Sequence, residues 1–292
     1  MIDITDLSEE LNYYGGSELK ASYNIEGKNY MVKFPDPIRE KNKEISYITN
    51  QYSEYIGCNI FKSLGIDTQD TMLVKKDVKG KTKIAVACEN FLKDDETLIE
   101  MEFVALSLST EKKYDTSLDD IYEMIDILND RYSVDKKGCL SRFWEMFVGD
   151  ALIGNPDRHL GNWGFIKHNA DLRLAPVYDC GSSLSPLVEE ADLENMLKSS
   201  SELKNIAYNI SSVYKKDGKR IFYHEIFKNP TEDLKKAMKV IIPKIDLGII
   251  KNIIDSIETL SEYQKEFYYR CIVIRKEQIL DLAYDKLISE EI

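Results

Sequence analysis

Asp157, Asn162 and Asp179 are the residues whose types and spacing imply chemistry most directly. The first two stand five residues apart in GNPDRHLGNWGF (154–165), a glycine-punctuated stretch built like a loop. After it, NWGFI (162–166) reads as a strand, KHNAD as a turn and LRLAPVYD (172–179) as a second strand. A hairpin folded at about residues 169 and 170 brings Asn162 opposite roughly Val177, with Asp179 two residues further along. Neighbouring strands lie ~4.8 Å apart, so Asn162 and Asp179 can share one ligand. An amide oxygen and a carboxylate suit a hard cation, and Mg²⁺ takes one or two carboxylates and completes its shell with phosphate oxygens. Asp157, in the loop before the first strand, can face that cation without binding it.

This set matches phosphoryl transfer: one aspartate orients the attacking hydroxyl, and an asparagine and a distal aspartate hold metal. DRHLGN fits D-x-x-x-x-N and DCG (179–181) fits D-x-G. Either pattern alone is weak; the two with a hairpin between them are fairly specific. The competing reading is a helix-to-hairpin turn in which Asp157 and Asn162 cap backbone groups.

Such residues need a scaffold, and the first ninety residues read as mostly strand. LKASYNIEGKNYMVKF is two β-rich runs around Glu26-Gly27-Lys28, and TQDTMLVKKDVKGKTKIAVACENF repeats the pattern around Gly80. In NYMVKF, Tyr30, Val32 and Phe34 take one strand face, so Lys33 and Met31 take the other, where a lysine can reach nucleotide phosphates. A helix is expected from about Ile45 to Leu64. Its stretch from Ile45 to Phe61 carries one charge, Glu54, in a chain that is 31% charged. A lone buried carboxylate needs a cation, and Lys33 is the natural candidate. Upstream, YYGGSELK (13–20) places Gly15 and Gly16 where backbone N–H groups can approach phosphates. From residue 97 onward helices dominate. LSRFWEMFVGDALIG has helical spacing, and 190–210, 231–255 and 258–289 are helix-like. The fold class is therefore α+β: a small β-rich lobe over 1–93 with one helix, a connector near 88–95, and a larger helical lobe over 94–292.

Bulk properties agree. The 292 residues carry a net charge of −12, which argues against a direct nucleic-acid partner. Cysteines at 58, 88, 139, 180 and 271 form no CxxC pair, which suits reduced thiols in a cytoplasm. The acidic start MIDITDLSEE is no targeting peptide, and no apolar run approaches the ~18 residues of a membrane span. Residues 94–130 hold twelve acids against Lys112 and Lys113, net −10. That stretch reads as a solvated helical face or as a docking surface for a basic partner.

NPDRHLGNWGF followed by LAPVYDCGSSL resembles the HipA-like kinase family, bacterial relatives of the eukaryotic protein-kinase fold, and the stretches YMVKF, SEY and DCGS resemble its compact CtkA-type branch. The resemblance covers about residues 12–186 motif by motif. It implies a two-lobed protein-kinase-like fold and an ATP- and Mg-dependent Ser/Thr protein kinase, with autophosphorylation. Asp157 resembles the catalytic aspartate. His159 to Asn162 resemble the segment contacting nucleotide and metal, and Tyr178 and Asp179 the second metal segment. Gly15, Gly16, Ser17 and Lys20 resemble the phosphate loop, and Lys33 the nucleotide lysine. Glu89 to Phe91 resemble the hinge that receives adenine through backbone hydrogen bonds. The family is regulated by phosphorylation near the phosphate loop, which points to Ser17. The order Asp157-Arg158-His159, and the lack of G-x-G-x-x-G and A-P-E, depart from the eukaryotic pattern. HipA toxins bind a DNA-binding antitoxin partly through an extra N-terminal region, whereas this chain starts almost at the phosphate loop, which weighs against such a partner. Two other functions remain open: a small-molecule phosphotransferase of aminoglycoside-kinase type, and a catalytically inactive binding module.

Overall fold

The computed structural model describes residues 1–10, 20–35, 49–108 and 112–290. Its first layer is a five-stranded sheet in the order β1-β4-β5-β3-β2. β1 (Ile2–Asp3) runs parallel to β4 (Thr71–Val78), and the remaining pairs, with β5 (Lys81–Glu89), β3 (Lys28–Lys33) and β2 (Lys20–Ile25), are antiparallel. The two hairpins turn where left-handed backbone is available: Glu26 and Gly27 have φ of 52° and 85°, Lys79 and Gly80 of 56° and 76°. Two successive positive-φ residues match the right-handed twist of the strands. The β2–β3 turn is thus Glu26-Gly27, with Lys28 already paired to Ile25.

Alternation along these strands makes two faces. Tyr23, Ile25, Tyr30, Val32, Phe34, Val74, Ala85 and Ala87 form a small core with Ile4. The opposite face carries Lys33, paired in register with Lys20 on one side and Val86 on the other. Beneath it lies α1 (Asn50–Ser63), which starts after its N-cap Thr49 and not at residue 45 as the sequence predicts; residues 45–48 lie outside the described residues. Tyr52, Ile56, Cys58, Ile60 and Phe61 of α1 do not join the small core; they belong to the large one built by the helices that follow. A helix shared in this way ties the sheet to the rest of the molecule.

The connector after β5 leads into β6 (Glu96–Glu100) and α2 (Met101–Leu108). α3 (Leu118–Tyr132) and α4 (Lys136–Ile153) follow. Along α4, Phe143, Trp144, Phe147 and Val148 are buried, and the three aromatic rings pack ring to edge, with Phe143–Trp144 centroids 5.1 Å apart. The hairpin of β7 (Gly164–His168) and β8 (Asp171–Leu174) turns at 169–170, and β6 adds a third strand to it. The strands are shorter than the sequence predicts. Asn162 sits in a 3₁₀ turn (Leu160–Asn162), not in a strand, and β8 stops before Ala175. Pro176 has no N–H to continue the ladder. Val177 instead donates to the Asp67 carbonyl (2.8 Å) and accepts from the Gln69 N–H (2.9 Å).

The C-terminal part is helical in α5 (Glu190–Lys198), α6 (Ser200–Tyr208), α7 (Tyr223–Lys228), α8 (Glu232–Ile241), α9 (Leu247–Asp255), α10 (Glu262–Arg275) and α11 (Leu282–Ser289), the last two joined by a π-helical turn over Lys276–Asp281. Between α6 and α7 lies a hairpin the helical reading omits: β9 (Ser211–Lys216) and β10 (Lys219–Phe222), turning at Asp217-Gly218 with φ of 52° and 75°. No helix among the described residues is long and apolar enough to cross a membrane.

Candidate active site

Three segments meet below the sheet: the Lys33 end of β3, the loop between α4 and β7, and residues 178–181 after β8. Lys33 Nζ lies 3.0 Å from Asp179 Oδ1 and 3.4 Å from Glu54 Oε2. The expected pairing of Lys33 with Glu54 is present, but Asp179 is the nearer partner. Glu54 is sealed at 1% side-chain exposure, whereas Asp179 is 37% exposed and opens toward the cleft. Burial pushes the Asp179 carboxyl up. The charge and hydrogen bond of Lys33, with weaker help from Arg158 and Lys20, outweigh it and hold the pKa below the usual carboxylate range. Asp179 has φ of 59°, a left-handed conformation that costs a non-glycine residue about 1–3 kcal/mol when the surroundings enforce it.

The surroundings are specific. A Cβ on Gly57 would lie 2.6 Å from the Cβ of Cys180, so only glycine lets α1 close on the segment after Asp179. A Cβ on Gly181 would stand 3.1 Å from Glu54 Oε2. Helix α1 and the 179–181 segment are therefore packed as one unit around Glu54.

The loop is organised from within by Arg158, which is fully buried. Its Nε donates to Asp150 Oδ2 (2.9 Å), and its Nη2 to Asp150 Oδ1 (3.0 Å) and Cys180 Sγ (3.5 Å). Its Nη1 reaches the carbonyls of Asn162 (2.9 Å) and Tyr178. Burial works against the guanidinium charge, but Asp150 facing it in two-point contact keeps its pKa above the ordinary value. Asn155 completes the set: its Nδ2 donates to Asp150 Oδ1 (3.0 Å) and its Oδ1 accepts from the Asp157 N–H (3.1 Å). Sequence reasoning missed Arg158 and Asp150. Asp150 is a lone carboxylate in the apolar run FVGDALIG, so the argument that found Glu54 applies equally to it.

Asn162 uses its Nδ2 to donate to the Asp157 carbonyl (2.8 Å), which leaves Oδ1 as the group to offer a cation. The backbone cap posed as the competing reading is thus present, made by the amide nitrogen. The Asp157 carboxylate accepts from the Ser182 hydroxyl at 3.4 Å. His159 Nδ1 accepts from the Gly161 N–H (3.0 Å), folding that ring onto its own loop. The Tyr178 hydroxyl donates to the Gly161 carbonyl (3.3 Å), and its ring packs against that of Phe91 with centroids 6.0 Å apart. The Glu89 side chain points to the other sheet face, to Lys28 (2.8 Å) and Tyr30 (3.3 Å). Its N–H donates to the Asp70 carbonyl (2.8 Å), and its carbonyl accepts from Gln69 Nε2 (2.9 Å). Gly15, Gly16 and Ser17 lie outside the described residues. Lys20, Lys33, Glu54, Asp157, Asn162 and Asp179 are thus gathered round one cleft, with Phe91 and Tyr178 at its side.

The chain matches the HipA-like C-terminal domain family over residues 13–242. It belongs to that family, and with it to the kinases and phosphotransferases of HipA type. It is similar to the serine/threonine-protein kinase CtkA of Helicobacter pylori, at 35% identity over 99% of this chain and 89% of that one. The crystal structure of the H. pylori proinflammatory kinase CtkA superposes with a TM-score of 0.91 at 34% identity, covering 100% of this chain and 99% of that one. The HipA toxin of Shewanella oneidensis, solved with HipB and operator DNA, shares the fold at a TM-score of 0.58 and 16% identity, over 94% of this chain and 68% of that one.

Proposed function

We propose that this chain is an ATP- and Mg²⁺-dependent protein kinase that transfers the γ-phosphoryl group to Ser or Thr of a protein substrate and labels itself. The observation that carries this reading is the cluster at Lys33. Two lysines, Lys20 and Lys33, stand directly opposite each other across β2–β3 on the cleft face. Two ammonium groups so placed can both bond the oxygens of a polyphosphate lying between them and the loop. The donor set on the other side, the Asp179 carboxylate and the Asn162 amide oxygen, has the hard-oxygen chemistry that Mg²⁺ takes.

In this reading Lys33 binds nucleotide phosphate and Glu54 holds the lysine in place. Asp179 and Asn162 would hold Mg²⁺, which supplies charge neutralisation at the phosphates when bound. Asp157 orients the acceptor hydroxyl and accepts its proton. The Asp157–Ser182 contact supports this role, because the aspartate already accepts from a serine hydroxyl. Phe91 and Tyr178 lie beside the base, and within the hinge of residues 89–91 adenine bonds to the Asn90 carbonyl and the Phe91 backbone, because Glu89 uses its N–H and carbonyl, and Asn90 its N–H, inside the protein. The net charge of −12 speaks for a protein substrate with basic character and against direct nucleic-acid contact.

The test is transfer of label from [γ-³²P]ATP, with the protein alone and with a lysate of its host. Labelled protein bands on Ser or Thr are expected. Label confined to small molecules would move the reading to a small-molecule phosphotransferase, and ATP binding without turnover would move it to a binding module.

A further inference from the structure

Helix α2 presents an unusual outer face. Met101, Val104, Ala105 and Leu108 turn into the main core, and Glu102, Phe103, Leu106 and Ser107 turn out. Phe103 and Leu106 are 58% and 65% exposed, and at i and i+3 they adjoin on one side of the helix. Single exposed apolar residues are common, so the position of this pair is what matters. α2 starts on the catalytic loop: the Met101 N–H donates to the Trp163 carbonyl at 2.9 Å. The Glu102 carboxylate lies against the loop, since a Cβ on Gly161 would stand 3.3 Å from its Oε2. Glu100, the last residue of β6, lies close enough to Asp179, His159, Lys20 and Glu102 to feel their charges. The outward strip therefore runs from two carboxylates beside the loop to an apolar pair further along the helix.

We propose that this strip docks the protein substrate, taking a basic residue near the phosphoacceptor at Glu100 and Glu102 and an apolar residue beyond it on Phe103 and Leu106. The inference rests on the kinase reading above and adds the substrate class to it. Charge complementarity selects the occupant. The strip lies in the stretch 94–130 with its net charge of −10, in a chain of net −12, so a second copy of the chain would bring like charge to it. A basic, apolar segment is drawn to both ends of the strip at once.

The test uses two synthetic peptides. Both carry serine with a nearby arginine, and only one carries a leucine pair beyond the arginine. Phosphorylation kinetics and fluorescence anisotropy, the latter with alanine in place of the acceptor serine, are measured on wild type, Phe103→Ala/Leu106→Ala and Glu102→Gln. Loss of the apolar pair is expected to raise KM and Kd for the leucine peptide about tenfold. The KM of the peptide lacking leucine, and the KM of ATP, should stay within twofold. Glu102→Gln should raise KM for both peptides, and should leave a third peptide with arginine replaced by alanine unaffected. Equal KM values across the variants overturn the proposal. So does a Glu102→Gln effect confined to the ATP KM, which would make that carboxylate a nucleotide contact. A concentration-dependent dimer in sedimentation that Phe103→Ala/Leu106→Ala abolishes would assign the strip to self-association instead. If wild type labels no protein or peptide, the kinase reading fails, and anisotropy still reports whether the strip binds the leucine peptide.

Discussion

Two cation–carboxylate junctions lie within the candidate active site, and they are built differently. Arg158 and Asp150 meet in two-point contact, each at 1% side-chain exposure, and every remaining donor direction of the guanidinium ends on a carbonyl or a thiol of the loop and the 178–180 segment. Lys33 is shared between two carboxylates by single contacts of 3.0 and 3.4 Å, one partner sealed and the other a third exposed. A planar fork with its bonds filled fixes a geometry, whereas an ammonium with rotatable donors changes partners at low cost. The first junction shapes the loop. In the proposed kinase reading the second passes from Asp179 to a phosphate while Glu54 keeps the lysine in place.

Removing Arg158 tests that contrast hardest. Arg158→Met leaves Asp150 buried and unpaired and should cost about 3–5 kcal/mol in stability, read as a lower urea midpoint, with activity lost. Adding Asp150→Leu should recover much of the stability but not the activity, because the Asn162 and Tyr178 carbonyls still lack their donor. Recovery of both would reduce Arg158 to a simple charge partner.

The aspartates come next, and their effects should separate. Asp179→Asn should lose both productive Mg-ATP binding and transfer. Asp157→Asn should lower kcat by about 10² to 10⁴ while ATP affinity stays within a few-fold of wild type. Calorimetric titration of Mg-ATP beside a transfer assay decides this. If both variants lost ATP binding equally, Asp157 would be a metal ligand or a structural cap.

Smaller effects belong to the exchangeable junction. Lys33→Met should weaken nucleotide use without unfolding the protein, and Glu54→Gln should give the same defect in milder form. Unchanged kinetics in Glu54→Gln would remove Glu54 from the site. Mass spectrometry after incubation with ATP should find phosphate at or near Ser17, and, if that segment is the phosphate loop the resemblance implies, phosphate there should inhibit by adding roughly −1.5 to −2 charges against those of ATP.

The smallest effect is in pH. The folded pKa of Asp179 lies below its ordinary value, so the stability its ion pair contributes is present above the unfolded pKa and is lost as pH falls through the folded one. The stability difference between wild type and Asp179→Asn should be flat from neutral into mild acid and shrink only below the usual carboxylate range. Urea midpoints measured against pH check the sign.

Local patterns carried much of this site. A two-residue turn sets a hairpin's register, so the pairing from 169–170 back to Gly164 and Ala175 was legible by counting, whereas the ladder expected to reach Asn162 and Val177 ends there, with Val177 bonded to residues 67 and 69. The Ala175 N–H bonded to the Gly164 carbonyl at 3.0 Å continues that register past the end of β8. Strand alternation put Lys33 on the cleft face, and a lone charge in an apolar helix marked Glu54. The hairpin over Ser211–Phe222 was equally legible, because Asp217-Gly218 between two β-rich runs is a strong turn signal, but the helical segments around it masked it.

Residue types, their periodicity and the turn chemistry of the chain determined the sheet hairpins, the α+β class and which side chains could do chemistry, because those depend on contacts a few residues apart. Tertiary structure alone decided what each charge does. Lys33 lies 146 residues from Asp179 yet bonds to it more closely than to Glu54. Arg158, one residue from Asp157, serves the core and not the cleft. Those outcomes rest on how α1, α4 and the 178–181 segment close on one another, through the missing side chain of Gly57 and the burial of Asp150. A buried charge takes the partner that packing brings to it, and local sequence records the need for a partner without naming it.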